Sequence, residues 1–323
     1  MAVRTVFRLT ASLLMGLGAL TCGFAQGFPD KPVKVIVGFP PGSVPDIFAR
    51  MLQSGLHGAW KQPLVIENRP GASGAVAAGV VARAPKDGHT LLVHGAYAVS
   101  AAFSQALSYD PLNDLVAIAP IAWQAFVLVT AAPAGAGTLA ALIAAAKAKP
   151  GQLNYGSPGV GSYPHLGGEN LKTAAGIDAV HVPFKGPGDV IVELLAGRID
   201  FAYSPVAIAL PYIRDGKLNA LAVSSDARSR LLPEIPTTAE AGLSGSGFVL
   251  TVGLWAPAGM PASDVEKISN DVALELATAA TRSALTRLGA EPMSMSPAEF
   301  AQFVRREIED LKRTVKAASL TPQ

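Results

Sequence analysis

The sequence predicts an α/β architecture of two lobes, and three observations carry that prediction. Short β-branched runs alternate with segments of helical spacing along most of the chain. Such alternation indicates mainly parallel sheets covered by helices on both faces. The alternation falls into two blocks, 28–125 and 126–248, and a helical tail follows. A tail of this kind suits a chain that crosses between the lobes twice, giving one lobe of 26–125 with 250–323 and another of 126–249. The cleft between two such lobes is the default place for a ligand.

The elements follow in order. Val33–Val37 reads as a strand, and 46–60 as a helix with Ile47, Met51 and Leu52 on one face. Leu64–Ile66 is a second strand, Ala75–Ala84 a second helix and Thr90–Val93 a third strand. The second block opens with strand Phe126–Thr130 and an Ala-rich helix, Leu139–Lys149. Further strands are expected at Leu153–Gly156, Val180–Val182, Ile199–Tyr203 and Leu218–Val223. The tail holds helices at Ala262–Ala280 and Pro297–Ala317. In the last, Phe300, Phe303, Val304, Ile308, Leu311 and Val315 recur at helical spacing, which makes it an amphipathic cover for the core.

The first 25 residues have the composition of an export signal. Arg4 and Arg8 precede an apolar run from Leu9 to Leu20, and Gly23-Phe24-Ala25 supplies the small residues of a cleavage site. The run is short for a membrane anchor. Cys22 raises lipid attachment as an alternative, but Leu20-Thr21 precede it poorly for that role. The leader holds two of the 26 basic residues and none of the 24 acidic ones, so removing it leaves 24 of each sign. It also holds the one cysteine, so the exported chain relies on a full-sized core and no disulfide. Charge balance leaves no electrostatic footprint for nucleic acid or an anionic membrane surface. An anionic ligand must therefore be held by local geometry.

Four glycine-rich segments stand where strands end and helices begin. The first is Gly38-Phe39-Pro40-Pro41-Gly42-Ser43-Val44-Pro45-Asp46. Its prolines stiffen the loop, Gly42 allows close backbone approach, and the following helix presents free N–H groups. An anion there gains about 0.3–1 kcal/mol from the helix dipole and about 1.5–3 kcal/mol per charge-assisted hydrogen bond. Asp46 reads as a helix cap or buried acceptor. The second segment, Tyr155-Gly156-Ser157-Pro158-Gly159-Val160-Gly161-Ser162-Tyr163-Pro164-His165, repeats the same logic in the other block. His94-Gly95-Ala96-Tyr97 and Pro183-Phe184-Lys185-Gly186-Pro187-Gly188 are the other two. Each alone is an ordinary turn; divided between two blocks they describe opposed jaws.

Enzyme signatures are missing from the sequence: no G-x-S-x-G elbow, phosphate-binding loop, dinucleotide fingerprint or H-E-x-x-H pair. His57, His89, His94, His165 and His181 are scattered without metal-site spacing. Neither a cofactor nor a metal is expected. Ser162 and His165 lie one helical turn apart, which reads as a capping hydroxyl with a histidine packed behind it, in preference to a nucleophile and its base.

These motifs, in this order, resemble the Bug family, the extracytoplasmic solute receptors of tripartite tricarboxylate transporters. The resemblance runs over essentially all of the chain after the leader. It rests on Phe28-Pro29-Asp30-Lys31-Pro32, the Phe39-Pro40-Pro41-Gly42 loop with Asp46 and Ala49-Arg50, and Val65-Ile66-Glu67-Asn68-Arg69-Pro70-Gly71. Asp87-Gly88-His89-Thr90-Leu91-Leu92, Tyr109-Asp110-Pro111, Pro150-Gly151 and Gly159-x-Gly161-Ser162-x-x-His165-Leu166 continue it. His181-Val182-Pro183-Phe184-Lys185-Gly186, Gly216-Lys217-Leu218, Pro236-Thr237 and Ala256-Pro257-Ala258-Gly259 complete it.

The resemblance implies a two-lobed fold of the type II periplasmic binding proteins, with one solute in the interdomain cleft. It implies a small carboxylate held by backbone N–H groups and waters, with Phe39, Gly42 and Ser43 on one jaw and Ser157, Gly159, Gly161 and Ser162 on the other. His94, Ala96, Phe184, Lys185 and Ser204 would line the remainder. The implied protein is a periplasmic monomer that serves membrane permease subunits; a sensing subunit that docks on a signalling protein is the alternative, and an enzyme the least favoured class. Three departures from the family pattern bear on specificity: Ser43 replaces a usual Gly, Phe184 a usual Tyr, and Ser204 a common Asp. The loss of that Asp weighs against an amino-acid ligand. The stretch Ala101–Ser108 also lacks the family's Asn-Pro and Leu-Tyr pattern.

Overall fold

Strand formation follows burial on both faces. In the computed structural model, which describes residues 28–103, 107–132, 134–318 and 320, Val33, Val35 and Val37 of β1 (Val33–Val37) point into one core and Ile36 into another. The expected leader and Cys22, and residues 104–106 of the divergent stretch, lie outside the described residues. β2 (Leu64–Asn68) and β3 (Thr90–His94) pair in parallel with β1 on either side. β5 (Leu153–Ser157) pairs in parallel with β6 (Ala179–Pro183) and with β7 (Phe201–Pro205).

Two strands between these parallel groups run antiparallel, which corrects the expectation of mainly parallel pairing. β4 is Leu115–Ala131 and β9 is Val249–Pro257. The sheet order is β2-β1-β3-β9-β4-β7-β5-β6, with β8 (Leu218–Val223) and β10 (Ala290–Pro292) also paired to β4. From Leu115 to Ala125, β4 pairs with β9; from Phe126 onward it pairs with β7 and β8. One continuous strand thus joins the two halves, and β9 brings the chain back.

Helices cover both faces. α1 (Val44–Trp60), α8 (Ala262–Ala277) and α9 (Ala279–Arg287) bury one core against β1, β3 and the start of β4. A second core lies under α6 (Pro187–Leu195) and α7 (Val206–Arg214). The third runs through both halves, beneath α2 (Ala75–Ala82), α3 (Tyr97–Phe103), α4 (Leu139–Ala148), α5 (Tyr163–Ala175) and α10 (Pro297–Ala317). The helix expected across Ala262–Ala280 breaks at Thr278, whose extended backbone (φ −64°, ψ 145°) ends α8. Its hydroxyl accepts from Thr281 N–H and so starts α9. Among the described residues no helix is long and apolar enough to cross a membrane.

α10 has the expected bounds and buries Phe300, Val304, Ile308, Leu311 and Val315. Burying each such side chain contributes about 1.5–3 kcal/mol. Its start is fixed by a capping box, in which Ser296 Oγ accepts from Glu299 N–H and Glu299 Oε2 accepts from Ser296 N–H at 2.8 Å. Ser296→Ala is expected to lower the unfolding free energy by about 1 kcal/mol in urea titration. The helix also reaches the second half, where Tyr163 of α5 donates its hydroxyl to Glu307 Oε1 at 3.0 Å.

Candidate functional site

Two loops are built to the same plan. In the first, Gly42 takes φ +81° and Ser43 an extended conformation (φ −69°, ψ 159°) before α1. In the second, Gly161 takes φ +76° and Ser162 φ −73°, ψ 157° before α5. Ser43 Oγ donates to Pro40 O at 2.7 Å, as Ser162 Oγ does to Gly159 O at 2.7 Å. Ser43 N–H and Ser162 N–H reach the same two carbonyls at 3.2 and 3.3 Å. Proline follows at the second helical position in both, Pro45 and Pro164. Glycine is required at both φ values, which L side chains disfavour.

The residue four places after each glycine holds its N–H. Gly42 N–H donates to Asp46 Oδ2 at 2.9 Å, and Gly161 N–H donates to His165 Nδ1 at 3.0 Å. Neither glycine amide is therefore a free donor; both shape the turn. The first helical bonds are made by Ile47 to Ser43 O and Leu166 to Ser162 O. Ahead of them His165 N–H bonds to Ser162 Oγ at 3.4 Å, while helix geometry leaves Val44 N–H, Asp46 N–H and Tyr163 N–H without an intrahelical partner and aimed along the axis.

Asp46 is 2 % exposed. Its Oδ2 also accepts from Arg50 Nε at 2.9 Å and its Oδ1 from Asn68 Nδ2 at 2.8 Å. Burial alone would raise its pKa, but the bonds from Arg50, Gly42 and Asn68 prevail and hold it below the usual carboxylate range. Asn68 Nδ2 donates to Phe39 O as well, at 2.9 Å, tying the loop to the end of β2.

The other expected residues fall into two groups around these loops. Beside the first, a Cβ on Gly95 would sit 2.6 Å from Pro45 Cγ, so the His94–Ala96 loop packs against the start of α1. His94 has no exposed surface and stands behind Phe39, ring to ring at 5.5 Å. Its Nδ1 accepts from Ala96 N–H at 2.9 Å, and burial pushes its pKa down to about 3, so the ring is neutral. Beside the second loop, Phe184 N–H donates to Ser157 O at 2.8 Å. The Phe184 ring turns away beneath Gly156 into the core under α6. Ser157 Oγ donates to Gly159 O and accepts from Gly159 N–H, and His181 Nε2 lies 2.7 Å from it.

Lys185 and Ser204 complete the expected set. Lys185 is exposed and borders a shallow depression of about 540 Å³ with Asp189 and Glu193 of α6. Ser204 is buried opposite Val127, with its hydroxyl toward Pro205 O at 3.4 Å. Among the described residues no three His, Cys, Asp or Glu gather as a metal site.

Phe103 joins the groups and was not expected. It ends α3, which begins beside His94 at Tyr97, and a Cβ on Gly161 would lie 2.8 Å from its ring. No local pattern could have marked Phe103. Asp46 and His165 had a visible signal, the shared spacing Gly-Ser-x-Pro followed by an acceptor.

A family described as "Tripartite tricarboxylate transporter family receptor" matches residues 48–320. Protein BugT of Bordetella pertussis is 32% identical over 314 residues, covering 96% of this chain and 94% of its own. An R. palustris protein solved with adipate is 30% identical with a TM-score of 0.78, covering 92% of this chain and 100% of that one. MatC from Rhodopseudomonas palustris with bound malate is 31% identical with a TM-score of 0.74, covering 89% and 100%. The periplasmic binding protein BugD is 26% identical with a TM-score of 0.75, covering 92% and 100%. The solved neighbours are solute-binding proteins that share the α/β fold of this chain.

Proposed function

Since the chain belongs to the tripartite tricarboxylate transporter receptor family, one of substrate-binding receptors rather than enzymes, we propose that it captures a small carboxylate in the periplasm and delivers it to membrane permease subunits. The ligand sits between a lobe of 26–125 with 250–323 and a lobe of 126–249, after export and cleavage near Ala25. One observation carries this reading. Two Gly-Ser-x-Pro turns, one from each half of the chain, each end in an unpaired helix amide. A carboxylate oxygen facing each amide, directly or through water, would hold the halves together. Ligand that binds the closed arrangement better than the open one shifts the population toward it. The adipate and malate bound by two relatives favour aliphatic dicarboxylates as first candidates.

Thermal denaturation in the presence of adipate, malate, citrate and nicotinate tests the proposal. A true ligand at 100 times its dissociation constant adds about 2.7 kcal/mol of stability and raises the melting temperature by several degrees. Uniform failure of carboxylates, or chemical turnover of one, would sink it.

A further inference from the structure

The two jaws share a plan but not an acceptor. Asp46 is an anion offset by Arg50, whereas His165 serves the second jaw with a ring nitrogen. For Nδ1 to accept from Gly161 N–H the imidazole must be neutral, with its proton on Nε2. A second histidine lies directly against it: the His165 and His181 rings are 4.0 Å apart between centroids. His181 in turn contacts Ser157 of the same jaw. One pair of rings in contact thus underlies both ends of the loop 157–161.

We propose that His165 is the positioning residue of the second jaw, its neutral imidazole fixing the left-handed turn at Gly161 and, with the tilted His181 ring against it, presenting the α5 amide. The role rests on the carboxylate-capture reading for its consequence in binding, though not for its geometry. The charged and titratable groups around the ring are Glu169 and Lys172 of its own helix, Tyr155 of β5 and His181 of β6. Tyr155 and Lys172 both bond to Glu169 Oε1, and the Glu169 charge opposes the effect of burial on the ring. Glu307 of α10 is bound to Tyr163 instead. Burial lowers the pKa of His165, and burial with the neighbouring His165 and Lys172 pushes His181 down to about 4.

Protonated Nδ1 would meet Gly161 N–H donor to donor, so the turn is released in acid. Both histidines have folded-state pKa values below their usual 6.5. Their contribution to the folded state is therefore complete above pH 6.5 and lost as pH falls below it, for His181 through about 4. Asp46 does not titrate in that window, so the bond that Gly42 N–H makes to it is not itself lost there.

Amide hydrogen exchange on the full ¹⁵N-labelled chain reads this directly. Protection of Gly161 N–H should fall at least about tenfold between pH 7.5 and 4.5, relative to the intrinsic rate, while Gly42 N–H stays protected. His165→Asn keeps an acceptor that does not titrate, so Gly161 should remain protected at both pH values. His165→Leu should lose protection at both. Adipate and malate affinity, measured by calorimetry on the same proteins, should follow Gly161 protection. Equal protection in the Leu variant, or an undiminished acid loss in the Asn variant, overturns the role of His165. Should the Leu variant not fold, the Asn comparison decides alone. Absence of binding by wild type at every pH would count against the carboxylate reading, while the exchange result still decides the positioning role.

Discussion

Gly161→Val is expected to reduce carboxylate affinity by at least about 30-fold while the chain still folds. Two costs act at one atom. A β-branched residue at φ +76° is strained by about 1–2 kcal/mol. Its Cβ would also stand 2.8 and 2.9 Å from Phe103 Cδ1 and Cε1, closer than carbon atoms approach, and such overpacking costs about 1–3 kcal/mol. The loop can relieve both only by moving, which displaces Ser162 and the first amide of α5. A displacement worth about 2 kcal/mol of binding is about 30-fold. Phe103 separates the two causes. Phe103→Ala in the Gly161→Ala background removes the clash but not the strain, so affinity should recover in part. Gly42 supplies the contrast, because its φ is similar and nothing lies within 4 Å of the place an added methyl would occupy. Gly42→Ala should therefore cost less than Gly161→Ala. Calorimetric titration with whichever of adipate and malate binds wild type checks the order. Equal losses at the two glycines would show that Phe103 does not brace the second jaw.

The parts of this architecture that the sequence displays are those governed by local pattern. β1, β8 and α10 have the bounds that their periodicity indicates, because each is bounded by turns and faces a single core or pair of cores. The first half of β4 is hidden because Pro120 argues against a central strand. The sheet accommodates it by register shifts between Ala117 and Ala119 and between Pro120 and Ala122. β9 follows directly on a loop and has no alternation, being buried from Thr251 to Pro257. α3 lacks an amphipathic signal because all of its residues are buried. The antiparallel pairing of β4 with β9 depends on contacts far apart in sequence, which no spacing rule reaches. The same division holds at the site. Glycine, serine and proline mark both jaws, since backbone conformation demands them. The ring contact of His165 with His181 and the approach of Phe103 to Gly161 are tertiary contacts between separate elements.

Asp46→Ala is expected to collapse the first jaw, with loss of detectable carboxylate binding and about 2–4 kcal/mol of stability. The carboxylate gathers three donors: Gly42 N–H, Arg50 Nε and Asn68 Nδ2. Removing one partner of a buried ion pair costs about 3–5 kcal/mol where the other charge stays buried. Arg50 is about half exposed and can turn to water, which places the expected cost toward the lower end. Asn68 Nδ2 would keep its bond to Phe39 O, so the loop loses its inner anchor at Gly42 before its outer one. Asp46→Asn retains one acceptor without the charge and should fall between wild type and Ala. Acid provides the complementary measurement. The folded-state pKa of Asp46 is held below its ordinary 3.8. The unfolded chain therefore takes up the proton first, and the stabilisation present above pH 3.8 disappears as pH falls through the folded value. Urea unfolding followed from pH 5 to pH 2 should show a smaller fall in Asp46→Asn than in wild type, the remainder belonging to the other groups that titrate in that range, His94 and His181 among them. The His165 jaw loosens at higher pH than the Asp46 jaw, so His165→Asn should leave this lower step untouched. A lower step that vanished in His165→Asn, or persisted in full in Asp46→Asn, would refute the independence of the two jaws.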